Sequence, residues 1–161
     1  MKNILDIKQA IELSNNLKKE RKKTVLVGGC FDILHPGHIQ FLDHAKKSGD
    51  VLLVFLESDK KITEMKGIQR PLHTQQERAA MLVSLRFVDV VILLPYFSHD
   101  QEYNELIKKL QPHIIATTEG DPHTEQKKRQ AESVGAKVIE VIKYIPHKST
   151  TRLLKILANE M

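Results

Sequence analysis

The sequence predicts an α/β protein: a single doubly wound, Rossmann-like domain on a five-stranded, mainly parallel sheet. Two observations support this prediction: short apolar runs alternate with segments of helical period, and most runs are continuous rather than alternating. Continuous apolar runs are typical of parallel strands that are buried on both faces. The predicted strands are 25–27, 51–56, 90–94, 113–116 and 137–142.

The segments between these runs carry signals for helix ends. A capping box at 74–77 begins one helix. Asp100 caps a second helix, which ends at Pro112, and a third begins at 121–122 and ends at Gly135. Before the first strand, the amphipathic stretch 4–17 predicts one more helix. We therefore interpret residues 1–23 as an N-terminal helical extension and residues 24–161 as one domain.

Composition narrows the class of protein. The chain has 161 residues, of which 41% are hydrophobic and 28% charged, as in ordinary globular domains. No apolar run reaches the roughly 18 residues of a membrane span, and the N-terminus mixes charges into its apolar positions, unlike a secretory signal. Cys30 is the only cysteine, which excludes an intrachain disulfide and fits a reducing compartment. We expect a cytoplasmic protein with no membrane partner.

The net charge of +5 leaves several kinds of partner open, including nucleic acid and small anions. The basic clusters at 18–23 and 127–129 are interpreted as solvated surfaces. Single-strand binders interleave aromatic and basic residues, and this chain, with 5% aromatic residues, does not. We therefore expect no nucleic-acid partner, and the charge is consistent with a small anionic substrate or with solubility alone.

The segment after the first predicted strand, GGCFDILHPGH at 28–38, is the strongest candidate for a site. Ligands of such sheets bind at the carboxyl ends of strands, where the strand order reverses. Two glycines there let a ligand approach the backbone, and the helix start at Gly37 offers free N–H groups to an anion. The segment is neither a dinucleotide fingerprint nor a P-loop.

His35 and His38 flank that helix start, and three interpretations compete with a plain cap. The pair could ligate zinc, Cys30 could serve redox chemistry, or both imidazoles could contact one phosphate group. Zinc needs a third ligand from elsewhere, whereas the glycines favour backbone contact with an anion. The phosphate site is the interpretation that the segment favours.

The same segment resembles the H-x-G-H signature of the cytidylyltransferase-like nucleotidyltransferases, relatives of class I aminoacyl-tRNA synthetases. The resemblance runs from Thr24 to the last predicted helix, so residues 24–161 would be a nucleotidyltransferase domain. Further blocks of the chain are similar to the family: 58–61, 66–67, 70–71, 77–78, and an S-T-T block at 148–152.

The resemblance implies roles for individual residues. His35 and His38 would bind the triphosphate and stabilise the transition state, and Lys66 would close over the phosphates. Arg78 would hold a phosphate or the attacking substrate, and Asp32 would contact nucleotide and substrate. The remaining nucleotide-binding residues would be Gly29, Cys30, Phe31, Gly37, Gly120, Ser149, Thr150 and Thr151.

The implied reaction is attack by a substrate phosphate on the α-phosphorus of an NTP, with pyrophosphate leaving. The partners are thus an NTP and a phosphorylated small molecule. Mg²⁺ would arrive with the NTP, held by phosphate oxygens and water, so no metal ligand is predicted in the chain. We also expect a homodimer.

Members that add AMP to heptose 1-phosphate resemble this chain best, at the 28–32 start and across 70–78. Glycerol-3-phosphate cytidylyltransferases have an arginine near the position of Tyr144, which is absent here. The heptose enzymes carry a G-G-D block where this chain has Thr117–Pro122, and only Gly120-Asp121 match. Transfer to glycerol 3-phosphate or another polyol or amino-alcohol phosphate, adenylylation of FMN and a non-catalytic nucleotide-binding module remain alternatives.

Overall fold

The computed structural model describes residues 3–143 and Lys155 of the chain. Its helices and strands alternate around one parallel sheet. The strands are β1 (Asn3–Leu5), β2 (Thr24–Gly29), β3 (Val51–Leu56), β4 (Val90–Leu93), β5 (Ile114–Thr118) and β6 (Lys137–Ile142). The helices are α1 (Ile7–Lys19), α2 (Pro36–Lys46), α3 (Asp59–Lys66), α4 (Gln75–Ser84), α5 (Asp100–Leu110) and α6 (Thr124–Glu132).

The α/β class and the parallel sheet are confirmed, but the prediction of five strands was wrong, because residues 3–143 already form a sheet of six. The additional strand, β1, lies in the segment interpreted as a purely helical extension. It pairs in parallel with β4, from Asn3 beside Val90 to Leu5 beside Ile92. A strand of three residues is too short to display a period, which is why the sequence pattern missed it.

Helices cover both faces of the sheet, as continuous apolar strands require. Successive residues of a strand point to opposite faces, so Val25 and Val27 enter one core and Leu26 enters the other. The first core includes Leu42, Ala45, Ala79 and Leu82 of α2 and α4. The second includes Ala10, Leu106, Ile107, Leu110 and Ala131 of α1, α5 and α6.

The strand order, β1-β4-β3-β2-β5-β6, determines where a ligand can enter. After β2 the chain builds outward through β3 and β4, and then returns to add β5 on the other side of β2. The order therefore reverses between β2 and β5, and the helices that follow these two strands diverge there. Within residues 3–143 and at Lys155, no helix has the length and apolar character needed to span a membrane.

Candidate active site

A crevice of about 330 Å³ opens where the strand order reverses. One wall follows β2 and continues into α2, and the other follows β5. The lining residues are Gly28, Gly29, Phe31, His35, Gly37, His38, Phe41, Thr118, Glu119, Gly120, Asp121, Pro122, Lys127 and Ile142. Six of the residues predicted for the site therefore meet in one cavity: Gly29, Phe31, His35, Gly37, His38 and Gly120.

His35 is the N-cap of α2, with Pro36 as the first helical residue. Its Nδ1 accepts a hydrogen bond from the Gly37 backbone N–H, 3.1 Å away. This contact leaves the proton of the neutral imidazole on Nε2. The cap uses one ring nitrogen, and His35 also lines the crevice.

His38 stacks on His35, with ring centroids 3.8 Å apart and an interplanar angle of 24°. The Phe31 ring meets His38 edge-on at 5.2 Å. Among the described residues, the buried Nδ1 of His38 has no hydrogen-bond partner. Burial, followed by the interactions with His35 and Lys66, lowers the pKa of His38 to about 4, although a hydrogen bond with the Ile33 backbone opposes this shift. His38 is therefore neutral at physiological pH, and a bound polyanion would favour its protonated form.

The backbone after β2 is shaped around the Phe31 ring. Phe31 has φ 45, a left-handed conformation that is strained for a bulky residue. A Cβ added at Gly29 would lie 2.8 Å from the Phe31 ring, whereas one at Gly28 would meet only Phe55, at 3.7 Å. Gly29 is thus required for the close packing of this turn, in addition to leaving the strand end open to a ligand.

The opposite wall contains a polar cluster that the sequence interpretation missed. The Lys127 Nζ lies 2.5 Å from Asp121 Oδ2 and 3.1 Å from Thr117 Oγ1. Burial would raise the pKa of Asp121, but hydrogen bonds from Lys127, Thr117 and the His123 N–H outweigh it and lower that pKa. We interpreted Lys127 as part of a solvated basic cluster; instead it lines the crevice. Its spacing of six residues from Asp121 across a helix start was the available signal.

Asp32 is buried, at 1% exposure, and does not line the crevice. Its Oδ2 accepts from Arg70 Nε, and its Oδ1 accepts from the backbone N–H groups of Leu72, at 2.8 Å, and His73, at 3.4 Å. Burial alone would raise the pKa of Asp32, and these hydrogen bonds lower it. The carboxylate expected to contact nucleotide and substrate is thus occupied with residues 67–73, here called the anchor loop.

Arg78 is fully buried and its guanidinium faces protein groups. It donates to the carbonyls of His73 at 3.1 Å, Cys30 at 2.6 Å and Glu57 at 2.8 Å, and to Asp59 Oδ1 at 2.7 Å. These contacts join the anchor loop, the turn after β2 and the start of α3. The side chain that we expected to hold a phosphate or the attacking substrate holds these segments together.

Lys66 is the last residue of α3 and is exposed. Its charge lowers the pKa values of His38 and Cys30, so it lies close to both. Burial, the larger effect, raises the pKa of the Cys30 thiol. Ser149, Thr150 and Thr151 lie outside the described residues, as does Tyr144.

Within residues 3–143 and at Lys155, no three His, Cys, Asp or Glu side chains are grouped to hold a metal ion. The Nδ1 of His35 is engaged by a backbone N–H, which orients that nitrogen away from metal ligation. The side of the crevice at the start of α2, with glycine N–H groups and two imidazoles, is suited to an anion, whereas Glu119 and Asp121 line the opposite wall.

Comparisons with known proteins agree with this geometry. The cytidylyltransferase-like family model matches residues 26–155. The bifunctional protein HldE of Campylobacter fetus subsp. fetus (strain 82-40) is 41% identical over 149 residues, which make up 91% of this chain and 31% of that protein. HldE of a Nitratiruptor species is 38% identical over 155 residues, or 94% of this chain and 31% of that protein. The chain thus spans about a third of the length of these curated relatives.

Two solved structures are similar as well. The lipopolysaccharide core biosynthesis protein from Thermoplasma volcanium GSS1 has a TM-score of 0.60 and 26% identity, covering 77% of this chain and 97% of that one. Pantoate-beta-alanine ligase from Francisella tularensis, complexed with beta-gamma ATP and beta-alanine, has a TM-score of 0.66 and 19% identity, covering 91% of this chain and 69% of that one. The second likeness concerns the fold alone. With the histidine pair at the sheet's reversal point and a family match across most of its length, the chain belongs to the cytidylyltransferase-like family of nucleotidyltransferases.

Proposed function

We propose that the chain transfers AMP from ATP to a sugar phosphate such as heptose 1-phosphate and releases pyrophosphate. The observation that carries this proposal is the stacked pair of His35 and His38 at the start of α2, facing a crevice at the reversal of strand order. The names of the similar proteins support the sugar-phosphate class: one is a lipopolysaccharide core biosynthesis protein.

In the proposed complex the nucleoside occupies the wall formed by residues 118–122, and the triphosphate extends over the start of α2. The backbone N–H groups there and the helix dipole favour negative charge. His38 is neutral in the ligand-free protein, and its pKa rises as phosphate oxygens approach. Both imidazoles then donate hydrogen bonds where charge accumulates in the transition state.

The acceptor phosphate oxygen forms a bond to the α-phosphorus while the bond to the bridging oxygen of the β-phosphate breaks. Pyrophosphate leaves with the electron pair, and no proton has to move, since the attacking oxygen is already anionic. Lys66 and the Mg²⁺ that accompanies ATP neutralise the departing charge. Ser149, Thr150 and Thr151 are proposed to bind the β- and γ-phosphates.

We also propose the domain bounds, the compartment and the oligomeric state of the enzyme. Residues 24–161 form the nucleotidyltransferase domain, and the protein acts in the cytoplasm as a homodimer. The single cysteine is consistent with a reducing compartment. Sedimentation equilibrium tests the dimer, and a mass of one chain at micromolar concentration would contradict it.

A pyrophosphate-release screen tests the reaction. ATP, CTP, GTP and UTP are each combined with heptose 1-phosphate, glycerol 3-phosphate and FMN, with and without Mg²⁺. We expect turnover for ATP with heptose 1-phosphate, and its loss when EDTA removes the metal. Turnover confined to CTP with glycerol 3-phosphate, or to ATP with FMN, would move the chain to another activity of the family. Nucleotide binding without turnover by any pair would indicate a non-catalytic module.

A further inference from the structure

A second polar pair lies at the carboxyl edge of the sheet, outside the crevice. Glu57 directly follows β3, and its backbone N–H donates to the carbonyl of Gly29 at the end of β2, 3.2 Å away. The crevice opens on the β5 side of β2, and Glu57 stands on the β3 side. A ligand that reaches Glu57 would therefore approach the phosphates from the side opposite the nucleoside.

Tyr103 of α5 holds the Glu57 carboxylate. Its hydroxyl is 3.0 Å from Oε1 and 3.0 Å from Oε2. The Tyr103 ring is fixed in turn by an edge-on contact with Phe97, with centroids 4.9 Å apart. A phenol has a single proton, whereas a carboxylate can accept about four hydrogen bonds. The pair is thus oriented but retains acceptor capacity for further donors.

Among the described residues, no Lys, Arg or His forms a direct ion pair with the Glu57 carboxylate. Arg78 donates to the Glu57 carbonyl and to Asp59 rather than to the carboxylate. Burial raises the pKa of Glu57, opposed by the Tyr103 hydrogen bond and by the charges of Lys61 and Arg78. A half-buried carboxylate with one neutral donor contributes little to stability, so its contacts indicate a role with a ligand.

We propose that Glu57, oriented by Tyr103, accepts hydrogen bonds from hydroxyl groups of the acceptor and selects polyhydroxylated phosphates. This inference rests on the proposed transfer to a sugar phosphate. A carboxylate repels phosphate groups, so the acceptor phosphate faces Lys66 and the histidines while its hydroxyls face Glu57. The same repulsion keeps the triphosphate on the crevice side of β2. Glu57 is thus a specificity-determining residue, and Tyr103 is a positioning residue.

The test combines protein variants with acceptors that lack one hydroxyl. Glu57→Gln and Tyr103→Phe are assayed with heptose 1-phosphate and with a series of its monodeoxy analogues. We expect Glu57→Gln to raise the KM for heptose 1-phosphate by ~10- to 100-fold, the range for a hydrogen bond to a charged group, with the KM for ATP unchanged. The rise in acceptor KM caused by Glu57→Gln should be smaller for the deoxy acceptor that lacks the hydroxyl bound by Glu57. Tyr103→Phe should raise the same KM less.

Glu105→Gln is the matched control, because Glu105 is an exposed residue of α5 that pairs with Lys108 at 3.1 Å. Equal acceptor KM values in Glu57→Gln and wild type, or an equal rise in the KM for ATP, would overturn the inference. Acceptor binding is also followed by saturation-transfer NMR without ATP. Sugar phosphate binding that is lost in Glu57→Gln, with no pyrophosphate release by wild type, would refute the transfer reaction and retain the subsite. If Glu57→Gln does not fold, the test rests on Tyr103→Phe. An acceptor KM that is unchanged in Tyr103→Phe then refutes the proposal that Tyr103 positions Glu57.

Discussion

Replacing Asp32 by alanine should destabilise the protein far more than removing an exposed acid. The Asp32 side chain is fully buried and Arg70 is 9% exposed, so solvent screens their ion pair very little. The substitution would leave a buried guanidinium unpaired, and its Nη2 already has no hydrogen-bond partner among the described residues. It would also leave two backbone N–H groups of the anchor loop without their acceptor. Breaking a buried pair in this way costs ~3–5 kcal/mol.

Urea denaturation followed by circular dichroism measures this loss as a change in the free energy of unfolding. Asp43→Ala is the control, because Asp43 pairs with Lys47 at 2.6 Å on the surface of α2, where the side chains are 27% and 67% exposed. An exposed pair contributes only ~0–1 kcal/mol. Adding Arg70→Met to Asp32→Ala should recover part of the stability, since it removes the unpaired charge. A loss below about 1 kcal/mol for Asp32→Ala would refute the anchoring role.

The pH dependence of Asp32 follows from the same contacts. Its pKa is lowered in the folded protein, so the unfolded chain binds its proton more readily. The pair therefore stabilises the fold above the ordinary pKa of an aspartate, and this contribution disappears as the pH falls through the lowered value. The Asp32→Ala variant should lose less stability on acidification than the wild type does.

The remaining predictions concern the nucleotide. His38→Ala should leave the melting temperature nearly unchanged and reduce kcat by ~10²-fold or more, as expected for a lost transition-state donor; an unchanged kcat would reduce His38 to a structural role. NMR titration should give His38 a pKa of about 4 in the ligand-free protein and a higher one with an ATP analogue, and an unperturbed value near 6.5 would contradict the burial argument. Calorimetry should show tighter binding of a non-hydrolysable ATP analogue than of its CTP counterpart, and the reverse order would favour cytidylyl transfer.

Local signals in the sequence predicted the strands from β2 to β6 and the histidine side of the crevice. Five apolar runs are long enough to show that both faces of a strand are buried, whereas Asn3–Leu5 is not. Likewise, His35 and His38 are three residues apart at a helix start, so a single segment places both. Tyr103 of α5 reaches Glu57 only because β3 and β4 are neighbours in the sheet, and no local pattern specifies that strand order.

The harder distinction is between residues that hold the ligand and residues that hold the loops around it. Asp32 lies in the same motif block as His38, Arg78 lies in another block that resembles the family, and their charges suit a hydroxyl and a phosphate, respectively. In the folded chain, however, all their observed hydrogen bonds are directed to backbone groups and to other side chains. Removing the fully buried Arg78 would release the turn after β2, the anchor loop and the start of α3 together. Residues of one sequence motif can thus be needed for the same site in different ways. Burial and the direction of the hydrogen bonds distinguish residues that touch the substrate from residues that position other side chains.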